Sequence, residues 1–117
     1  MIVAGFGGTS RATLDSYRDA YARAGRADRL ASLPSKTGVL ALAHALDLPF
    51  VVVTDVAAIQ TPTQSRSSLA AHGTGSVAEA CALAAAGPGA VITVTRVISA
   101  DGQATCALAQ IAAMGGA

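Results

Sequence analysis

Apolar residues recur along this chain in two rhythms, short continuous runs and runs spaced by three or four, and their succession predicts strands interleaved with helices. Ile2 to Phe6 is a brief apolar run ending in glycines, as a strand buried on both faces would be. Gly5-Phe6-Gly7-Gly8-Thr9-Ser10-Arg11 is expected to leave it as a tight loop. From about Ala12 to Ala24 the period becomes helical, with Leu14, Tyr17, Tyr21 and Ala24 on one face and charges elsewhere, and Gly25 closes the helix. Leu30 to Leu33 reads as a weaker second strand. Pro34-Ser35-Lys36-Thr37-Gly38 then leads into a second helix carrying Val39, Leu42, Ala43 and Leu46 on one stripe.

Pro49 ends that helix and opens Phe50-Val51-Val52-Val53, the strongest strand signal in the chain. Thr54 to Ile59 fits a single helical turn, Thr61 to Ser65 a loop, and Ser65 to Ala71 a short helix. The next stretch, His72-Gly73-Thr74-Gly75-Ser76-Val77-Ala78-Glu79 and on to Gly87, is a glycine-bracketed turn feeding a helix. Ser76 and Glu79 have capping-box spacing, and Gly87-Pro88 stops the helix. That helix is apolar almost all round, so it needs cover on most sides. After Gly89 the period falls to two: Ala90 to Thr95 is a strand, Asp101-Gly102 a hairpin turn, and Ala104 to Leu108 the return strand, with Met114 to Ala117 a frayed tail.

This order predicts an α/β fold, a three-layer α/β/α sandwich with a mostly parallel sheet and a C-terminal antiparallel hairpin. Ligands of such sheets sit outside the carboxyl ends of the strands. The loops at Gly7 to Arg11, at Pro34 to Gly38 and from Thr54 onward are expected to face one crevice there.

Composition narrows the functional classes. The chain has 117 residues, which suits one domain spanning 1–117 with a core that needs no metal or disulfide. A net charge of +1 with scattered acids and bases lacks the footprint of a nucleic-acid binder. The most apolar window, Val77 to Ile98, is broken by Glu79, by Gly87-Pro88-Gly89 and by Arg96, so no membrane span is expected. Met1 to Gly5 reads as a strand rather than a signal peptide, which points to the cytoplasm. Cys81 and Cys106 lie in apolar segments without metal or redox spacing, and are expected to be buried and reduced.

Several residues are candidates for chemistry. Gly5-Phe6-Gly7-Gly8 begins like a dinucleotide fingerprint, but Ser10 stands where the third glycine is needed. Two readings remain: the glycines bring backbone amides to an anion, or they make a tight turn. Lys36 falls in the first turn of its helix, where the macrodipole disfavours a cation by about 0.3–1 kcal/mol. An anionic ligand at the strand edge would compensate; a solvated lysine stem is the alternative. Glu79 suits a general base or ligand contact, although the capping box also accounts for it. His72 can shuttle protons near neutral pH, and His44 is expected to face solvent. Thr93, Thr95 and Thr105 are strand threonines able to hydrogen-bond a ligand. Arg96 is a carboxylate fork if its side of the hairpin is the crevice. No metal site is legible, and no nucleophile, base and oxyanion donor form a set.

Gly5-x-Gly7, Lys36 before Val39-Leu40-Ala41-Leu42-Ala43, Leu48-Pro49, Gly73-Thr74-Gly75-Ser76-Val77-Ala78-Glu79-Ala80 and Thr105-Cys106-Ala107-Leu108-Ala109 together resemble the CobE proteins of cobalamin (vitamin B12) biosynthesis. These are similar to the C-terminal domain of the CbiG proteins. The likeness covers essentially the whole chain, and its most specific segment is Ser76-Val77-Ala78-Glu79-Ala80. It implies a protein that binds or processes a precorrin or corrin intermediate. CbiG-type proteins open a δ-lactone of a cobalt-precorrin and release acetaldehyde with the help of further N-terminal domains. A hydrolase of that kind and a non-catalytic partner of another pathway enzyme are therefore the alternatives to a carrier. The resemblance carries over Lys36, Glu79 and Thr105; taken with the residues themselves, the expected substrate contacts are Gly5, Gly7, Gly8, Thr9, Lys36, Ser76, Glu79 and Thr105, with Glu79, Lys36 and His72 as catalytic candidates and no cofactor. Thr9-Ser10 stand where the family's first loop commonly carries a basic pair, and Arg96 replaces a lysine of the penultimate strand.

Overall fold

A computed structural model describes residues 1–57 and 59–111, the side chains of Ser67 and His72 excepted. The elements run β1 (Ile2–Gly8), α1 (Leu14–Ala24), β2 (Arg29–Ser32), α2 (Thr37–Leu46), β3 (Phe50–Val52), α3 (Arg66–His72), α4 (Val77–Ala86), β4 (Ala90–Ile98) and β5 (Ala104–Ile111). The tail from Met114 lies outside the described residues. The helical turn expected over Thr54 to Ile59 is not formed: the described part of that segment holds no helix.

The five strands lie in the order β3-β2-β1-β5-β4. β1, β2 and β3 are parallel, whereas β5 runs antiparallel to both β1 and β4. The sheet is thus mixed rather than mostly parallel. The hairpin joins the free edge of β1 through its return strand, which adds a second antiparallel ladder and leaves β4 as the outer edge. β3, the segment richest in β-formers, becomes a three-residue edge with Val52 half exposed. Strand propensity measures fit to a half-buried pleat, and carries no information on position within the sheet.

Alternation along β1 separates the faces. Ala4 and Phe6 pack with Tyr17, Ala20, Val39 and Leu42 of α1 and α2, while Val3 packs with Val77, Ala80 and Cys81 of α4. Leu46, assigned to the buried stripe of α2, is instead exposed near the helix end, where Asp47 takes a left-handed φ of 55° two residues before Pro49. α4 is covered as expected over its first half: Val77 to Ala82 are all buried. Gly5 makes that approach possible, because a methyl there would meet the Ala78 carbonyl, the Ala82 amide nitrogen and, at 2.8 Å, the Ala82 side chain. Cys81 and Cys106 are free, buried, and in clusters on opposite faces of the sheet. Burial pushes the Cys81 thiol up to about 12 and raises Cys106 as well. No helix among the described residues is long and apolar enough to cross a membrane.

Candidate functional site

The expected loop at Gly5 to Arg11 is largely strand. β1 continues through Gly8 because β5 pairs with it as far as Gly8↔Ala104, and the Thr9 amide extends the seam by donating to the Gln103 carbonyl at 2.9 Å. The last residues of β1 form a strip that divides the carboxyl rim into two pockets. Gly7 looks toward α4, where an added methyl would meet Thr105 Oγ1 at 2.8 Å; Gly8 looks the other way, toward Tyr17 Oη at 2.7 Å.

On the α1/α2 side, Thr9, Ser10, Tyr17, Lys36 and Thr37 surround a cavity of about 230 Å³. Lys36 is the N-cap of α2 but makes no side-chain cap. Its Nζ instead donates to the Gly8 carbonyl at 2.7 Å. That carbonyl supplies the negative end that a cation at a helix N-terminus otherwise lacks.

On the α4 side, Gly7, Gly8 and Thr105 form one wall of a cavity of about 250 Å³. Ser76 and Val77 at the start of α4 form another, Ser65 and Ser68 of the α3 turn a third, and Arg96 of β4 completes it. Arg96 reaches this side because β4 is irregular. Val94 pairs with Leu108 and Val97 with Cys106, so the register slips between them, and both valines pack on the α1/α2 cluster. Strict alternation would place Arg96 on the same face as Val94; the bulge returns Val97 there and turns Arg96 toward α4. Among the described residues the Arg96 guanidinium has no hydrogen-bond or ion-pair partner. A half-buried, unpaired guanidinium beside serine and threonine hydroxyls is suited to receive an oxyanion, a carboxylate above all.

Glu79 does not line this pocket and is fully buried. Its amide donates to Ser76 Oγ at 3.3 Å, so half of the expected capping box forms. The reciprocal half does not. Oε1 accepts from the Thr63 amide and the Thr63 hydroxyl, each at 2.9 Å, and Oε2 accepts from the Arg96 amide at 2.8 Å. A complete box with the reciprocal side chain forms at α1 instead, between Thr13 and Ser16.

The sequence matches the family described as cobalamin synthesis G C-terminus over residues 2–109. The chain belongs to the CbiG C-terminal family. It is a cobalamin biosynthesis protein of CobE/CbiG C-terminal type. The crystal structure of CobE, a protein from the cobalamin biosynthetic pathway, is similar at 29% identity with a TM-score of 0.77, over 93% of this chain and 89% of that one. That of the cobalamin biosynthesis protein chiG from Agrobacterium tumefaciens str. C58 is similar at 31% identity and a TM-score of 0.73, over 96% and 99%. Curated protein sequences give no significant match.

Of the residues singled out in this family member's sequence, Gly7, Gly8, Thr9, Ser76 and Thr105 line the α4-side pocket together with Arg96. Lys36 lines the other pocket, and Thr9 borders both. Gly5 lies beneath α4 rather than at the rim, and Glu79 is buried behind the lining, hydrogen-bonded to Ser76 and Arg96. The backbone of His72 ends α3, and its side chain is outside the described part. His44 is exposed; Thr95 is also exposed, and Thr93 reaches toward the Leu108 carbonyl at 3.4 Å. Ser65, Ser68 and Gln103 were not anticipated. The Ser65-x-x-Ser68 spacing was available as a cap signal, and the Ser65 side chain does accept from the Ser68 amide. Among the described residues no group of three metal-ligating side chains occurs.

Proposed function

We propose that this chain binds a carboxylate-bearing precorrin or corrin intermediate at the α4-side pocket and serves its pathway as a carrier. The observation that carries the reading is the Arg96 guanidinium, unpaired among the described residues, beside the hydroxyls of Ser65, Ser68, Ser76 and Thr105. Corrin intermediates are flat, apolar at the centre and ringed with carboxylates. A volume of about 250 Å³ is below the roughly 300–1,000 Å³ that enclose a drug-sized ligand, so the pocket takes one carboxylate arm. The macrocycle then lies across the rim, over exposed Thr9 and Ala71. Gly7, Gly8 and Thr105 shape the arm site, and Lys36 holds the strip that bounds it.

A carrier is favoured over a lactone-opening hydrolase because, among the described residues, Arg96 is the one titratable group lining the pocket, and a guanidinium is no base to activate the hydroxyls beside it. The reading treats residues 1–117 as one domain working in the cytoplasm, alone or handing its ligand to other pathway enzymes. Calorimetric and absorbance titration with hydrogenobyrinic acid tests it. Micromolar binding by the wild type and at least about tenfold weaker binding by Arg96→Ala are expected for a lost charge-assisted fork. No heat and no spectral change at micromolar wild-type protein would overturn it. Acetaldehyde released from the cognate precorrin by the isolated chain would replace it with the hydrolase.

A further inference from the structure

Glu79 is the most buried charged residue described, with none of its surface exposed, and the binding reading above makes no direct use of it. No cation neutralises it: its described partners are two backbone amides and one hydroxyl. The two amides belong to segments far apart in sequence. Thr63 leads directly into Ser65 and α3, and Arg96 occupies the β4 bulge. Each segment forms a wall of the same pocket.

The bulge has a specific need for such a partner. When a strand slips register, an amide drops out of the ladder, and a buried amide without an acceptor is costly. Oε2 accepts from the Arg96 amide at 2.8 Å, which fixes the residue at the point where the bulge re-aims its side chain. Oε1 meanwhile accepts both donors of Thr63, whose carbonyl is tied back by the Thr61 hydroxyl at 2.8 Å. The Ser65 amide then donates to the Gly75 carbonyl at 2.8 Å, closing the α3 turn against the start of α4. One carboxylate therefore sets the separation between the guanidinium and the α3 hydroxyls.

We propose that Glu79 is the positioning residue of this pocket, acting on the ligand through Arg96 and the Thr63 turn without touching it. The proposal rests on the reading that the pocket receives a carboxylate. Glutamine is the informative replacement. Its single oxygen can serve Thr63, but its amide group then faces the Arg96 amide donor to donor, and the bulge loses its anchor.

A double-mutant cycle over Glu79→Gln and Arg96→Ala, read as hydrogenobyrinic acid affinity, tests the claim. Glu79→Gln should weaken binding about tenfold in the Arg96 protein and less than about twofold in the Arg96→Ala background, because coupled residues fail to add. Equal losses in both backgrounds would reduce Glu79 to a general scaffold residue and overturn the proposal. A ligand-free arm separates this from failure of the binding reading: in the wild type the Arg96 backbone amide should exchange slowly with solvent, and Glu79→Gln should accelerate it at least about tenfold, as expected when a hydrogen bond is lost. An unchanged rate overturns the positioning role even if the acid binds. A wild type that ignores the acid, with the exchange effect present, overturns the function and retains the anchor. If Glu79→Gln does not fold, Glu79→Asp replaces it in both arms, since the shorter side chain keeps the charge but cannot span both walls.

Discussion

The two pockets flanking the end of β1 differ in what their cations are doing. On the α1/α2 side Lys36 is already engaged, its ammonium donating to the Gly8 carbonyl. On the α4 side Arg96 is turned inward by a bulge and left without a described partner. In the sequence a cation at a helix start is the stronger ligand signal, yet a single backbone carbonyl accounts for it. Position within a helix shows that compensation is needed; it does not show whether a ligand or the protein supplies it.

The largest way to break this difference is at Gly5, because the close approach of α4 makes one wall of the Arg96 pocket. Gly5→Ala forces a methyl onto the Ala78 and Ala82 backbone and should cost at least about 3 kcal/mol in chemical denaturation. Arg96→Ala should leave stability nearly unchanged while lowering hydrogenobyrinic acid affinity by about 2 kcal/mol, the scale of a charge-assisted hydrogen bond. Lys36→Ala should do the opposite, lowering stability by about 1 kcal/mol with affinity shifted less than about threefold. Gly7→Ala and Gly8→Ala refine the contrast between neighbours. The first presses on Thr105 and should weaken binding, whereas the second presses on Tyr17 and should register mainly as about 1 kcal/mol of lost stability.

The smallest effect concerns acid. Hydrogen bonds from Ser16 and Ser99 hold Asp101 below its usual 3.8, and the Ala100 amide together with Arg23 does the same for Asp19. A carboxylate depressed in the folded state contributes stability above its unfolded value and loses it as pH falls through the folded one. The melting temperature should therefore decline on acidification below about 3.8, and Asp101→Asn should flatten that decline. Both groups are solvent-exposed and tie the hairpin tip to α1, so the effect belongs to the Lys36 side of the molecule.

Local signals were legible and long-range ones were not. Helical spacing located α1, and the Ser76 cap located α4, because such preferences act within one or two turns. The hairpin was visible in Asp101-Gly102, but its attachment beside β1 depends on pairing between residues about a hundred positions apart. Gly5, Gly7 and Gly8 form one cluster in the sequence, whereas strand alternation gives them three roles: helix approach, the Arg96 pocket and the Tyr17 contact. The bulge left a faint trace in the unbroken Arg96-Val97-Ile98 run, which departs from the alternation of Ile92 to Thr95. The spacing of Glu79 from Ser76 shows only its own helix, while two of its three acceptor bonds go to Thr63 and the third to Arg96.

The most direct measurement follows both cations in one sample, by nitrogen-edited NMR of the wild type during titration with hydrogenobyrinic acid. The Arg96 Nε–H signal should shift together with the amides of Ser76 and Thr105, while Lys36 Nζ and the amides of Ser35 and Thr37 stay in place. Movement at Lys36 and its neighbours with Arg96 unmoved would put the ligand on the wrong side of β1 and contradict the account.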